Sequence, residues 1–116
     1  MSRGFGRLQN GLLQTIRLHR RPMTFEDIRA VIRQARHLGQ GAGLERLFEW
    51  SLRRALHGLT GSGALIALCD GGPGDPRRYF IHPFVIGMIG DTAEARELTE
   101  VLAAEVAAIV RQRTIL

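Results

Sequence analysis

The polar side of one amphipathic segment carries the side chains with the clearest chemical potential in the chain. Arg46, Trp50, Arg53 and His57 follow one another at spacings of four, three and four, and Arg54 flanks them. On an α-helix these spacings place the side chains on one face. Guanidinium groups bind phosphates and base edges, and an indole ring stacks on sugars or bases. The set is therefore suited to a nucleic-acid surface.

The other side of the same segment is apolar. With Phe48 as the reference on a helical wheel, four apolar side chains fall within about 40° of it, namely Leu44, Leu52, Ala55 and Leu59. The segment is predicted to be a helix with one buried face and one basic, aromatic face. An ordinary solvated helix also presents such a basic face. Trp50 has a second interpretation, which is packing against the N-terminal segment or a second subunit.

Two further groups of arginines are candidates for contacts with a phosphate backbone. Arg77 and Arg78 follow the turn sequence GGPGDP and begin a β-prone run, RRYFIHP. Arg29 and Arg33 are four residues apart, so they share one side of an earlier helix. The alternative for both groups is a solvated surface with no binding role.

The residues that commonly bind metals or perform catalysis form no recognisable arrangement. The four histidines and the single cysteine, Cys69, lack the short paired spacings of a zinc site. No Ser-His-Asp or Cys-His arrangement can be argued, and GQGAG lacks the preceding strand and the following lysine of a phosphate-binding loop. We therefore expect no metal, no cofactor and no enzymatic activity, and we interpret Cys69 as a small core residue.

The distribution of charge favours a polyanionic partner for one half of the chain. All 16 basic residues are arginine, which a GC-rich genome explains equally well. Residues 1–58 contain 11 arginines and 4 acidic residues, a balance of +7, whereas residues 59–116 contain 5 and 7, a balance of −2. A basic half beside an acidic half indicates that the two halves do different work.

The hydrophobic pattern predicts a mainly α chain with a small β-hairpin. Apolar residues at spacings of four predict a first helix over residues 7–18. Thr24 is a natural N-cap for a second helix, with Glu26 and Asp27 in its first turn. After the third helix, TGSG is predicted to turn the chain into two strands, ALIALCD and RRYFIHP. The run FVIGMIG is predicted to be a third strand or a packed connector, and residues 91–113 a long helix.

A helix-turn-helix followed directly by a β-hairpin is the arrangement of a winged helix-turn-helix domain. In that arrangement the recognition helix lies in the major groove of DNA. The hairpin, or wing, contacts the neighbouring backbone. We expect the glycines at 58, 61 and 63 to allow the sharp reversal that brings the wing beside the helix.

Three stretches resemble small bacterial, phage and plasmid winged helix-turn-helix DNA-binding proteins. MSRGFGRLQNGLLQTI is similar to their first helices, MTFEDI to the entry of their second helix, and SLRRALHGLTGSGALIAL to their passage from recognition helix to strand. The resemblance covers roughly residues 3–82 and implies binding to double-stranded DNA. The chain departs from the pattern in HLGQGAGLERLFEW, a long joint between helices, and in Glu45 and Glu49, which phosphates would repel.

We assign residues 1–90 to the winged helix-turn-helix domain and residues 91–116 to a C-terminal helix. An apolar stripe on that helix predicts a dimer interface, formed by Leu98, Leu102, Val106 and Ile109. A two-fold dimer would place two recognition helices about 34 Å apart, on successive turns of the groove. The alternative is that this helix folds back over the first helix of its own chain.

Chain length and hydropathy favour a single folded domain outside the membrane. The chain has 116 residues, of which 45% are hydrophobic. No apolar run reaches the roughly 18 residues of a transmembrane helix, and the basic N-terminus lacks the pattern of a signal peptide, so a cytoplasmic protein is expected. The leading prediction is a homodimeric DNA-binding repressor or a plasmid or phage maintenance factor. The second is a winged-helix module that binds proteins and not DNA.

Overall fold

The computed structural model describes residues 6–36, 42–69 and 77–115, and within them the chain forms five helices and three short strands. Their order is α1 (Arg7–His19), β1 (Met23–Thr24), α2 (Phe25–Arg36), α3 (Ala42–Ser62), β2 (Leu65–Leu68), β3 (Arg78–Ile81), α4 (Pro83–Met88) and α5 (Thr92–Ile115). The predicted class, mainly α with a small β-hairpin, is confirmed at this level. None of the helices in these ranges combines the length and apolar character that crossing a membrane requires.

The strands form one antiparallel sheet in the order β1-β3-β2. The predicted hairpin pairs Leu65 with Ile81 and Leu68 with Arg78. β1 adds two residues to the other edge of β3, where Met23 pairs with Tyr79. The sequence pattern does not predict β1, because two residues are too few to show an alternation.

β1 runs directly into α2 because Thr24 is both a strand residue and the cap of the helix. Thr24 Oγ1 accepts a hydrogen bond from Asp27 N, and Asp27 Oδ2 accepts one from Thr24 N, both at 3.2 Å. This reciprocal pair is a capping box, and an N-cap residue has the extended backbone that a strand requires. The predicted N-cap is confirmed.

The end of α3 differs from the prediction. The helix continues through Gly58 and Gly61, and so includes most of the TGSG stretch that we expect to form a turn. The reversal occurs at Gly63, whose φ is +87°. Ala64 N then donates to Leu59 O at 3.0 Å. This bond belongs to a Schellman cap, which needs glycine at one position only, so the other two glycines do not make the turn.

The run FVIGMIG forms no strand but contains the short helix α4, which packs against α5. Pro83 occupies its first turn, and Phe84 N donates a 3.1 Å hydrogen bond to His82 Nδ1, which caps the helix. Ile86 is buried, whereas Phe84 and Met88 are 67% and 71% exposed. The β-branched and aromatic composition favours a strand, but the proline, the cap and packing on α5 override it.

A single hydrophobic core collects apolar side chains from all eight elements. The residues at its centre are at most 2% exposed and include Leu12, Ile16, Ile28, Leu52, Leu59, Phe80, Ile86 and Leu98. Leu98 lies on α5, and burying a leucine contributes roughly 1.5–3 kcal/mol. The first half of α5 is therefore part of the fold of its own chain, as in the fold-back alternative.

α5 is attached to the end of α1 by charged groups. Arg17 donates to both carboxylate oxygens of Glu94, Nε to Oε1 at 2.8 Å and Nη2 to Oε2 at 2.5 Å. Glu94 is 8% exposed, and the hydrogen bonds from Arg17 hold its pKa below the ordinary value. Arg20 pairs with Glu97 at 2.9 Å, where both side chains are open to solvent.

Removing the buried carboxylate should destabilise the fold far more than removing the exposed one. Glu94→Gln leaves the Arg17 guanidinium without its bidentate partner, and we expect a loss of about 2 kcal/mol in the free energy of unfolding. Glu97→Gln, the matched control, should cost under about 1 kcal/mol because its pair with Arg20 is exposed. Urea denaturation measures both variants, and equal losses would contradict the assignment.

The same pair gives stability a defined dependence on pH. Because the pKa of Glu94 is lowered in the folded state, its contribution is complete above the ordinary carboxyl value of 4.5 and declines as the pH falls toward the lowered value. Below that ordinary value, the free energy of unfolding should fall more steeply in the intact protein than in Glu94→Gln. Denaturation midpoints measured across this range test it, and parallel curves would assign the dependence to other groups.

Candidate nucleic-acid interface

The outward side of α3 brings together the predicted basic and aromatic residues. Arg46, Trp50, Arg53, Arg54 and His57 are all exposed, and Trp50 is 59% exposed. The inward side of the helix buries leucines in the core, so the two sides divide as the helical wheel predicts. We call these five residues the α3 strip.

Two guanidinium groups of the α3 strip lie over aromatic rings. The Arg54 guanidinium carbon is 5.2 Å from the centre of the Trp50 ring. The Arg53 guanidinium carbon is 4.1 Å from the centre of the Phe25 ring, at the start of α2. Cation–π contacts of this kind restrict the long side chains while the N–H groups keep their capacity to donate. The arginines are thus partly positioned before any ligand binds.

A groove of about 320 Å³ separates α3 from the start of β3, and we call it the α3–β3 groove. Its walls carry two guanidinium groups, an imidazole and two hydroxyls, which belong to Arg53, Arg77, His57, Thr60 and Tyr79. Among the described residues that line it, none is acidic. The Thr60 hydroxyl already donates to Leu56 O, which leaves the guanidinium groups, the imidazole and the Tyr79 hydroxyl to face a ligand. A concave site with such groups and no carboxylate among its described lining residues is suited to an oxyanion such as a phosphate group.

Arg77, immediately before β3, and Arg78, its first residue, are adjacent in the sequence but lie on opposite sides of the sheet. Successive residues of a strand point to opposite faces of the sheet. Arg77 and Tyr79 line the α3–β3 groove, whereas Arg78 donates to Glu105 of α5 at 2.8 Å. Arg78 is 23% exposed in this pair. The structure therefore brings Arg77 to the candidate interface and gives Arg78 a contact within the fold.

The arginines of α2 are also engaged within the chain. Arg29 forms ion pairs with Glu26 and with Glu49 of α3. It therefore neutralises one of the two acidic residues that would repel phosphates, while the side chain of Glu45 lies outside the described part. Arg33, one turn further along α2, is half-buried and also engaged by a neighbouring group. Both arginines predicted to contact phosphates from α2 are therefore engaged within the chain, Arg29 with Glu49 of α3.

A second groove, of about 470 Å³, runs along the other side of the α3 strip beside the start of α1. It is lined by Gln9, Trp50, Ser51, Arg54, Ala55, His57 and Gly58. Gln9 reaches across to α3 at Gly58, where a Cβ would lie 2.8 Å from Gln9 Nε2, the movable end of that side chain. Trp50 borders this groove, and residues 1–5, part of the N-terminal segment that is one predicted packing partner, lie outside the described ranges.

Several residues of the two grooves are not predicted as site residues from the sequence. Phe25 belongs by pattern to the apolar face of α2, yet it is half-buried with Arg53 over its ring. Tyr79 carries a usable signal, because it is two residues from Arg77 and strand alternation puts the two on one face. The contact of Gln9 with α3 has no local signal, because it joins parts of the chain that are distant in sequence.

The predicted dimer stripe is divided between core and surface. Leu98 is fully buried in the core of its own chain, so it is not available to a second subunit. Leu102 and Ile109 are half-buried, and Val106 is 43% exposed. The stripe is therefore not one exposed face.

Cys69 is exposed, and its prediction as a core residue is wrong. The cysteine follows Leu68, whose pairing with Arg78 is the last pair of β2 and β3. Cys69 therefore lies just beyond the end of the sheet. No group of three or more metal-ligating side chains occurs in the part of the chain that the structure describes.

Comparisons with known proteins give no relative for this chain. No family model matches it, and no curated protein or solved structure is significantly similar to it. The function is therefore inferred from the residues and their geometry.

Replacing Arg78 should destabilise the fold more than replacing its neighbour Arg77. Arg78→Ala removes a half-buried pair with Glu105, and we expect a loss of about 1–2 kcal/mol in the free energy of unfolding. Arg77→Ala, the matched control one residue away, is exposed and should change stability by less than about 0.5 kcal/mol. Thermal denaturation of both variants tests the alternation, and similar losses would contradict it.

Proposed function

We propose that this chain is a winged-helix protein that binds double-stranded DNA. The order α1-β1-α2-α3-β2-β3, with a sheet order of β1-β3-β2, supports a winged helix. It gives a hairpin whose second strand starts beside the exposed side of α3. α3 is 21 residues long, about 30 Å, and a helix of this kind fits the major groove, which is about 12 Å wide.

The observation that carries this proposal is the donor-lined α3–β3 groove next to the α3 strip. Arg53, His57 and Arg77 meet there without a carboxylate among the described lining residues. The nearby Glu49, one of the two acidic residues of α3, is paired with Arg29 and so neutralised within the protein. Arg54 and Trp50 extend the surface along α3. Phosphate contacts in the groove would supply affinity, and arginines of the α3 strip would read base edges.

In this proposal the protein acts by occupying an operator and blocking access to that stretch of DNA. A repressor, or a plasmid or phage maintenance factor, needs little more than a recognition helix and a wing that cover an operator. We place such a protein in the cytoplasm with its DNA, and we propose that it acts as a homodimer.

A second candidate is a module that binds another protein. The observation in its favour is Trp50, which is 59% exposed beside the groove of about 470 Å³. Exposed tryptophans are typical of protein interfaces. A mobility shift with random and genomic DNA separates the two candidates, since the protein module would not retard DNA at any salt concentration.

Loss of an arginine from the α3 strip should weaken specific DNA binding. Arg53→Ala and Arg54→Ala should each raise the dissociation constant about 5- to 150-fold, because an arginine contact with a base is worth about 1–3 kcal/mol. Arg96→Ala, on the exposed side of α5, removes the same charge and serves as the control. Fluorescence anisotropy with the best genomic fragment measures all three, and an equal effect of the control would contradict a role for α3.

Arg77 should act through phosphate and therefore through salt. Arg77→Ala should weaken binding to every sequence by a similar factor and reduce the slope of log affinity against log salt by about 0.9. Arg78→Ala should leave that slope unchanged, because Arg78 is paired with Glu105. Salt titrations with two unrelated duplexes test this, and a loss confined to one sequence would assign Arg77 to base recognition instead.

A further inference from the structure

The exposed side of α5 carries an apolar stripe that differs from the one predicted. Thr99, Ala103, Val106 and Val110 are all exposed, and they recur at spacings of four, three and four. Val106 and Val110 are 43% and 55% exposed. This spacing is that of the seam between two paired helices. We call these four residues the outer stripe.

The outer stripe begins where α4 covers α5. A Cβ placed on Gly87 would lie 3.9 Å from Ala95 Cβ, and Ala95 is one turn before Thr99 on the same side of α5. Phe84 and Met88 lie on α4 within one turn of Gly87 and are strongly exposed. α4 and α5 together therefore leave several apolar side chains well exposed, and soluble proteins seldom leave such a surface uncovered.

Charges on one flank of the outer stripe decide how a second copy would pack. At about 100° per residue, Glu100 and Arg111 lie about 20° apart around the helix, both on the same flank of the stripe. Both are exposed, and neither has an ion-pair partner among the described residues. A two-fold axis perpendicular to two antiparallel helices brings the same flank of each helix together. Glu100 of one copy would then face the arginine of the other, whereas a parallel pair would separate the two charges.

We propose that a second copy of this chain covers the outer stripe, with the two α5 helices antiparallel and the two-fold axis close to Val106. Val106 packs near the axis, and Glu100 pairs with Arg111 of the partner subunit, twice in the dimer. The antiparallel direction also points the end of each α5 toward α4 of the other copy. This inference does not rest on DNA binding, and its test contains no DNA.

Light scattering on the full chain at micromolar concentration tests the interface. The intact protein should be a dimer, and Val106→Glu should be a monomer with an unchanged far-ultraviolet circular dichroism spectrum. Gln112→Glu, exposed on the side of α5 away from the outer stripe and from the flank of Glu100 and Arg111, is the control and should remain a dimer. A monomeric intact protein would overturn the proposal, as would a control that dissociates as readily as Val106→Glu.

Charge reversal tests the antiparallel direction independently of Val106. Glu100→Arg and Arg111→Glu should each weaken dimerisation roughly tenfold, because each change places two like-charged pairs across the interface. The double variant Glu100→Arg/Arg111→Glu restores both pairs and should recover the affinity of the intact protein. Sedimentation equilibrium measures these constants, and a double variant weaker than either single one would exclude the antiparallel arrangement.

Discussion

The bidentate pair between Arg17 and Glu94 determines which surfaces of this protein are available. It fixes the first turn of α5 to the last turns of α1. From that anchor the helix places Leu98 in the core and Glu105 against Arg78 of the sheet. A buried charge is tolerated only when its partner is held in good geometry, so this pair leaves α5 little freedom to dock elsewhere. The candidate groove beside α3 and the outer stripe of α5 lie outside these contacts.

The position of α5 also explains why adjacent arginines have different roles. Arg77, just before β3, faces α3, and Arg78 in β3 faces α5, because successive residues of an extended chain point to opposite faces of the sheet. A similar division occurs on α2, where Arg29 is paired with Glu49 of α3. Arg29 and Arg78 are thus neutralised by carboxylates of their own chain. Arg53 and Arg77, which line the α3–β3 groove, have no such ion pair among the described residues.

Local patterns predict the elements whose causes are local. The capping box at Thr24 and the hairpin around the glycine- and proline-rich turn are visible in the sequence and are confirmed. The end of α3 is not predicted, because the helix continues through Gly58 and Gly61, which weaken a helix, and reverses only at Gly63. The pairing of Arg78 is not predicted because its partner Glu105 lies 27 residues further along the chain. α4 is not predicted because its apolar residues match a strand as well as a helix, and packing on α5 favours the helix. The exposed strip on α3 follows from helical periodicity, whereas the groove depends on partners that only folding brings together.

The charge asymmetry of the chain has a structural explanation in these ion pairs. The acidic second half supplies three carboxylates that form ion pairs. Glu94 pairs with Arg17 of α1, Glu97 with Arg20 just after α1, and Glu105 with Arg78 of β3. Each pair neutralises a cation on the side of the protein that α5 covers. The exposed arginines of the α3 strip and Arg77 take part in none of these three pairs. An evenly charged protein would attract a polyanion to every face, whereas this distribution would orient it toward the groove before contact.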